Sequence, residues 1–168
     1  LVILLYKAIK QMESTVHLSK LQSEFRFRPW VGPNGTIKEL SVNSSNQYQF
    51  DIGIKNFGEI PAEYVVAYSK QDSQLIKKSE LKLDELESFN LGPMLPNMEK
   101  HYWIFIDSKK IDAAKEGKEK IFTTLYFEYP VSGGKSGYGM ISEYIPEKNI
   151  FHHKEMWVDT PSGRTTNE

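Results

Sequence analysis

The stretch Gln47-Tyr48-Gln49-Phe50-Asp51-Ile52-Gly53-Ile54-Lys55 decides the fold class. Tyr48, Phe50, Ile52 and Ile54 fall on every second position, with Gln47, Gln49, Asp51, Gly53 and Lys55 between them. Successive side chains of a strand point to opposite faces, so this segment predicts a strand with one face in a core and the other in water. Asn56-Phe57-Gly58-Glu59-Ile60-Pro61-Ala62 follows at once. Asn and Gly accept positive φ and Pro61 blocks a helix, so a structured turn built on Asn56, Gly58, Pro61 and Ala62 is expected, with Gly58 at positive φ.

Working outward, the same period recurs. Phe25 and Phe27 alternate with Arg26 and Arg28 before Pro29-Trp30, reading as a first strand; Gly32-Pro33-Asn34-Gly35 is a turn and 36–42 a short strand. Tyr64, Val66 and Tyr68 share a face of the next strand, and the charged segment 71–86 reads as a loop with a weak strand at Leu75-Ile76. The run 101–106 is short and apolar enough for a buried strand. Ser108 as N-cap and Gly117 beyond the end bracket one short helix near 109–116. Ile121, Thr123, Leu125, Phe127 and Tyr129 alternate again, Ser132–Gly137 is a hairpin loop, and Tyr138–Ile145 is its partner. The final strand, 150–158, places Phe151, His153, Glu155 and Trp157 on one face by strict alternation. Strands with turns between them, and no βαβ rhythm, predict a mainly β, immunoglobulin-like antiparallel sandwich of about seven or eight strands.

The N-terminus is different. Leu1–Tyr6 is wholly apolar and stops at Lys7; it is too short to cross a bilayer alone and reads as the exit end of a membrane anchor. Residues up to 24 read as helix, where Leu5, Ile9, Met12 and Val16 form a narrow four-three-four stripe. The stripe lasts barely two heptads and is read as a juxtamembrane stalk. The expected division is therefore anchor remnant and stalk over 1–24, sandwich over 25–159, and a polar tail over 160–168.

Composition limits the chemistry. The 168 residues carry a net charge of −1 and contain no cysteine. Disulfides, thiolate metal sites and a Cys nucleophile are thereby excluded, and binding to nucleic acid by phosphate neutralisation is not expected. Ser132–Gly137 holds the ingredients of a phosphate loop but sits between two strands, where no helix N-terminus follows. No Gly-x-Ser-x-Gly elbow occurs, and the carboxylates lie among lysines. The only conceivable metal set is His153 and Glu155 with His101 from another strand, weighed against polar residues at a sandwich edge. No cofactor is expected. Asn34-Gly35-Thr36 and Asn43-Ser44-Ser45 are glycosylation sequons that lean the domain outside the cytoplasm; Lys7, Lys10 and Lys20 lean it the other way. Trp30, Trp103 and Trp157 and six of the tyrosines are assigned to core packing, with an exposed sugar or partner platform as the alternative.

Arg28-Pro29-Trp30, the segment from Ile52 to Ala62 with its Asn-x-Gly-x-x-Pro-Ala ending, the strand 121–129 and the hairpin that follows have a shared likeness. Over residues 25–160 the chain resembles a broad group of small, uncharacterised prokaryotic domains that follow a single transmembrane helix. The resemblance implies an immunoglobulin-like sandwich tethered to a membrane and carries no catalytic residues with it. The segment 71–86 departs from the group in being longer and more charged. The function expected is a non-enzymatic, membrane-tethered module that binds a protein partner, with metal or small-ligand binding and carbohydrate binding as alternatives.

Overall fold

A computed structural model describes residues 2–161. The polar tail falls, from residue 162 on, outside the described residues, as does Leu1. Among the described residues nine strands form two antiparallel sheets, with one long and one short helix. The mainly β sandwich expected from the alternation is what the chain builds.

Helix α1 runs over Val2–Arg26, and strands β1 (Val31–Pro33), β2 (Lys38–Val42), β3 (Gln47–Asn56) and β4 (Ala62–Asp72) follow. The expected first strand at 25–28 is therefore corrected: the helix continues through Arg26, and the Phe27 amide still donates to the Ser23 carbonyl at 2.8 Å. Two-residue alternation at Phe25 and Phe27 was too short to outweigh an uninterrupted helical run, which ends only where Pro29 disfavours a helical residue before it. No helix among the described residues is long and apolar enough to cross a membrane.

Strands β5 (Glu87–Met94), β6 (Glu99–Asp107), β7 (Phe122–Val131), β8 (Gly134–Ile145) and β9 (Ile150–Asp159) complete the sheets, with helix α2 (Ser108–Lys115) between β6 and β7. In the first sheet β3 is central: β6 pairs along one side, while β1 and β2 share the other, one after the other. The second sheet has the order β5-β4-β7-β8-β9. Phe50, Ile52 and Ile54 of β3 and Ile104 and Ile106 of β6 face Val65 and Ala67 of β4, Leu125 and Phe127 of β7 and Met140 of β8 across the core. Phe50, Tyr144 and Phe151 meet edge to face or tilted, with centroids 5.0–5.9 Å apart, and the Tyr102 and Ser69 hydroxyls bond across the sheets at 2.8 Å. Asp107, not Ser108, caps α2 by accepting from the Lys109 amide at 2.8 Å; Ser108 is instead buried and bonded to Asn46.

The Asn-x-Gly-x-x-Pro-Ala segment now has a physical reading. Asn56 is fully buried, and its side chain spends every hydrogen-bonding valence. Oδ1 accepts from the amides of Trp30 (3.1 Å) and Gly58 (2.9 Å), while Nδ2 donates to the carbonyls of Ile60 (2.8 Å) and Met94 (3.0 Å). A satisfied buried amide of this kind fixes the three segments it joins, because loss of any partner strands a desolvated group. Gly58 does not have positive φ, contrary to expectation. Its need for glycine is close approach: a Cβ there would run into the Arg28 carbonyl and lie 2.7 Å from the Trp30 nitrogen and 2.9 Å from the Pro29 Cα. Pro61 is exposed at the start of the next strand, and Ala62 is small enough to be fully buried.

Segment 71–86 is also corrected. It has no strand at Leu75-Ile76; β4 runs on to Asp72, and two short 3-10 turns occupy Lys78–Glu80 and Leu83–Glu85. At Lys78 the chain has reached β9, where its amide bonds the Glu155 carboxylate at 3.2 Å, and by Glu87 it is back at β5. Because β4 and β9 are separated by β7 and β8, this strap crosses the outward surface of the second sheet and returns.

Candidate functional site

The outward surface of the first sheet is the candidate. On β6, Tyr102, Ile104 and Ile106 are buried, so period two sends His101, Trp103 and Phe105 outward. On β3 the same rule sends Gln49, Asp51 and Gly53 outward. The register joins them in rows: Gln49 opposite Phe105, Asp51 opposite Trp103, and Gly53 opposite His101. The Trp103 indole donates to Asp51 Oδ1 at 2.9 Å, which leans the ring across β3. His101 Nδ1 lies 2.8 Å from Asp51 Oδ2 and 3.0 Å from Oδ1. Asp51 is thus the hinge of the group, itself largely covered (14% side-chain exposure), while Trp103 stays 52% and Phe105 39% exposed.

The edges of this face are polar. Lys38 of β2 lies opposite Asp51, and Lys55 lies opposite Glu99. Beside His101, Gly53 has no side chain because the β1–β2 turn passes over it: the Asn34 amide donates to the Gly53 carbonyl at 2.7 Å, and the Asn34 oxygen would be 3.0 Å from a Cβ at Gly53. Two cations and two anions around an aromatic centre leave the surface close to neutral. Such a surface is suited to apolar contact and oriented hydrogen bonds rather than to attraction by charge.

The proposed metal residues do not meet. His101 is on the outward face of the first sheet. His153 and Glu155 were expected on one face, but a bulge in β9 separates them: Glu155 pairs with Ile141 and His153 with Ser142, and these consecutive β8 residues point to opposite sides. His153 turns inward, its Nδ1 2.8 Å from the buried Ser142 hydroxyl, and burial and neighbouring His152 push its pKa down. Glu155 turns outward beneath the strap. Among the described residues no group of three His, Asp or Glu side chains could hold a metal ion.

The remaining residues singled out in the sequence divide. Asn34 is exposed at the margin of the candidate face. Asn43 is engaged in the β2–β3 turn, accepting from the amides of Ser45 and Gln47 and donating to Gln47 Oε1 at 3.2 Å. Core packing holds for Tyr102 and Tyr144 but not for Tyr64 or Trp103, which are exposed. Phe105 and Asp51 were not anticipated as partners of Trp103. The strand pairing that joins them spans more than fifty residues and leaves no local signal. β3 alternates in its residue types, but the expectation of a buried strand over 101–106 is corrected: that run is apolar on both faces in sequence, while only one face is covered and Trp103 and Phe105 are exposed.

On the sandwich, a small apolar hollow of about 170 Å³ lies among Trp30, Phe57, Tyr129, Tyr138 and Val158. Small-molecule pockets run to about 300–1,000 Å³, so the hollow is undersized for one. No protein-family model and no curated protein matches the chain.

Proposed function

We propose that the chain is a non-catalytic binding module, tethered to a membrane through its N-terminal segment, whose partner protein docks on the Trp103–Phe105 face. The tether rests on the apolar run Leu1–Tyr6 and on the resemblance to membrane-anchored immunoglobulin-like domains. One observation carries the binding reading: a large aromatic side chain stands half exposed on a regular strand while its indole nitrogen is held by a covered carboxylate. A preoriented, solvated Trp loses little side-chain entropy on docking and can bury much apolar area, which is why Trp dominates interface energetics.

The experiment is a display selection for binding proteins with the wild-type chain, counter-screened with Trp103→Ala and Phe105→Ala. Partners that depend on both residues, and are indifferent to Phe89→Ala on the other sheet, support the reading. Binders indifferent to Trp103 would move the interface elsewhere. Turnover in a broad substrate screen that one substitution abolishes would defeat the non-catalytic assignment altogether.

A carbohydrate is the second reading, favoured by the Asp51 carboxylate and His101 at the edge of the indole, where sugar hydroxyls could bond while C–H groups stack on the ring. Binding on a glycan array that Trp103→Ala removes would select it over a protein partner.

A further inference from the structure

Helix α1 leaves a regular apolar seam uncovered. Leu5, Ile9, Met12 and Val16 are between 46% and 68% exposed, and every side chain from Leu5 to Lys20 is exposed, so the sandwich does not cover the helix. Twenty-five residues extend about 37 Å. A helix standing alone in water is marginal, since most helical stability comes from packing of an apolar face. Something must cover this one.

We propose that the cover is a second copy of the same helix, in a parallel, in-register, two-stranded coiled coil. The seam repeats at seven residues, from Leu5 to Met12 and from Ile9 to Val16, which is the period that keeps a seam facing a supercoiled partner. Its residue types are sorted. β-Branched Ile9 and Val16 occupy one class of position and Leu5 and Met12 the other, the arrangement in which parallel dimers are favoured over higher oligomers. The residues flanking the seam do not oppose the pairing: Ala8, Thr15 and Gln22 on one side are neutral, so Glu13 and Lys20 on the other meet no like charge. Lys7 and Lys10 lie away from it. Tyr6 and Leu18 are also exposed but lie off the seam on different sides of the helix, so they do not join it into the broad apolar face with which helices lie on lipid.

Ser19 and Ser23 continue the seam with small polar side chains, leaving a shallow hollow with Thr15, Val16 and Lys20. The grip is therefore strongest at the N-terminal half of α1 and loosens toward the sandwiches, which gives the two copies room.

The absence of cysteine supplies a clean test on the whole chain. Single cysteines replace Leu5, Ile9, Met12 or Val16 on the seam, or Lys10 and Ser14 off it, and disulfide dimers are counted after mild oxidation. Seam positions should cross-link at least roughly fivefold more than off-seam ones, and like-with-like bonds at both Leu5→Cys and Val16→Cys require parallel chains. In sedimentation velocity the wild type should shift toward dimer with concentration, and Ile9→Asp should abolish that shift with the melting of the sandwich unchanged. Equal cross-linking at all positions, cross-links confined to the middle of the seam, or a monomer throughout would overturn the proposal. So would protection of the cysteines at Ile9, Met12 and Val16 only when phosphatidylcholine vesicles are added, Leu5 being left out of that arm because it lies in the proposed tether.

Discussion

Each sheet turns a tryptophan outward, and each indole donates to an aspartate, yet the two faces have opposite fates. On the second sheet Trp157 lies over Gly139, stacks on Tyr126 (centroids 6.2 Å, 19° between planes) and donates to Asp159 at 3.0 Å. Tyr126 covers Gly137 and donates to the same carboxylate at 3.2 Å, and Tyr68 continues the aromatic row. Lys78 from the strap pairs with Asp159 at 2.6 Å and sits 5.5 Å above the Trp157 ring. On the first sheet Trp103 has Asp51 and His101 beside it and stays half exposed, without a strap of the kind that crosses the other sheet. The same side chain is structural where glycine makes room beneath it and a loop closes above it, and available where neither is present.

Four measurements break or sharpen that contrast. The largest effect is expected from Gly139→Ala, whose Cβ would occupy the space of the Trp157 ring. Evicting the indole should cost about 3 kcal/mol in urea unfolding. Gly53→Ala on the open face meets the Asn34 carbonyl and the tip of Glu99, each at 3.0 Å, with the Asn34 Cβ at 3.7 Å, and should cost less than about 1 kcal/mol. Equal losses would mean the faces are not different in kind.

Next, Trp157→Ala should lower stability by about 2–3 kcal/mol and Trp103→Ala by less than about 1 kcal/mol. Acrylamide should quench Trp103 strongly and Trp157 weakly in variants that retain one of the two. The opposite ranking would invert the assignment of the open face.

A pH titration of stability separates two further groups of the second sheet. Glu143 is held below the usual carboxylate range by Lys154 at 2.6 Å and Lys120 at 3.0 Å, against the cost of burial. The folded state then binds its proton less readily than the unfolded state. Its contribution is complete above the unfolded value near 4.5 and is lost as pH falls below it, so Glu143→Gln should flatten the acid limb. His153 is also depressed from 6.5, by burial and His152, so stability should rise with pH up to about that value; His153→Asn should remove this slope. Unchanged profiles in both variants would show that neither group is linked to folding.

The smallest effect belongs to Lys78→Ala. Its ion pair with Asp159 is about two-fifths exposed at both ends, and exposed pairs contribute about 0–1 kcal/mol. Hydrogen exchange is the sharper readout: amides of residues 77–86 should exchange faster while those of β7 and β8 do not. Simultaneous loosening of β7 would make the strap part of the core.

Only the β3 half of the open face was legible: its residue types alternate and mark Asp51 as outward, whereas Tyr102–Ile106 is aromatic or aliphatic at every position and hides which side chains face water. What alternation could not reveal is pairing. Asp51 and Trp103 lie opposite one another only through a register spanning half a hundred residues, and Lys78 meets Asp159 across eighty. Local interruptions were equally silent: the bulge at Lys154 reverses half of β9 and parts His153 from Glu155. At Asn56 and Gly58 the residue types marked a special turn, but positive φ was the wrong reason. The demand comes from the backbone of Arg28–Trp30, which no reading of the turn alone could place there.

That contact has a mechanical side. Helix α1 joins the sandwich through Arg28-Pro29-Trp30, and the attachments there include the Trp30 amide on Asn56, the Phe57 amide on the Trp30 carbonyl at 2.8 Å, and the close fit of Gly58 beneath the chain. Tension applied through the helix therefore bears on a buried asparagine at the end of β3. Asn56 also holds Ile60 and Met94, so it spreads that load into β4 and β5. The clamp reinforces a short edge: β1 pairs with β3 over only three residues, so what Asn56 holds is load that this strand would otherwise carry when the helix is pulled.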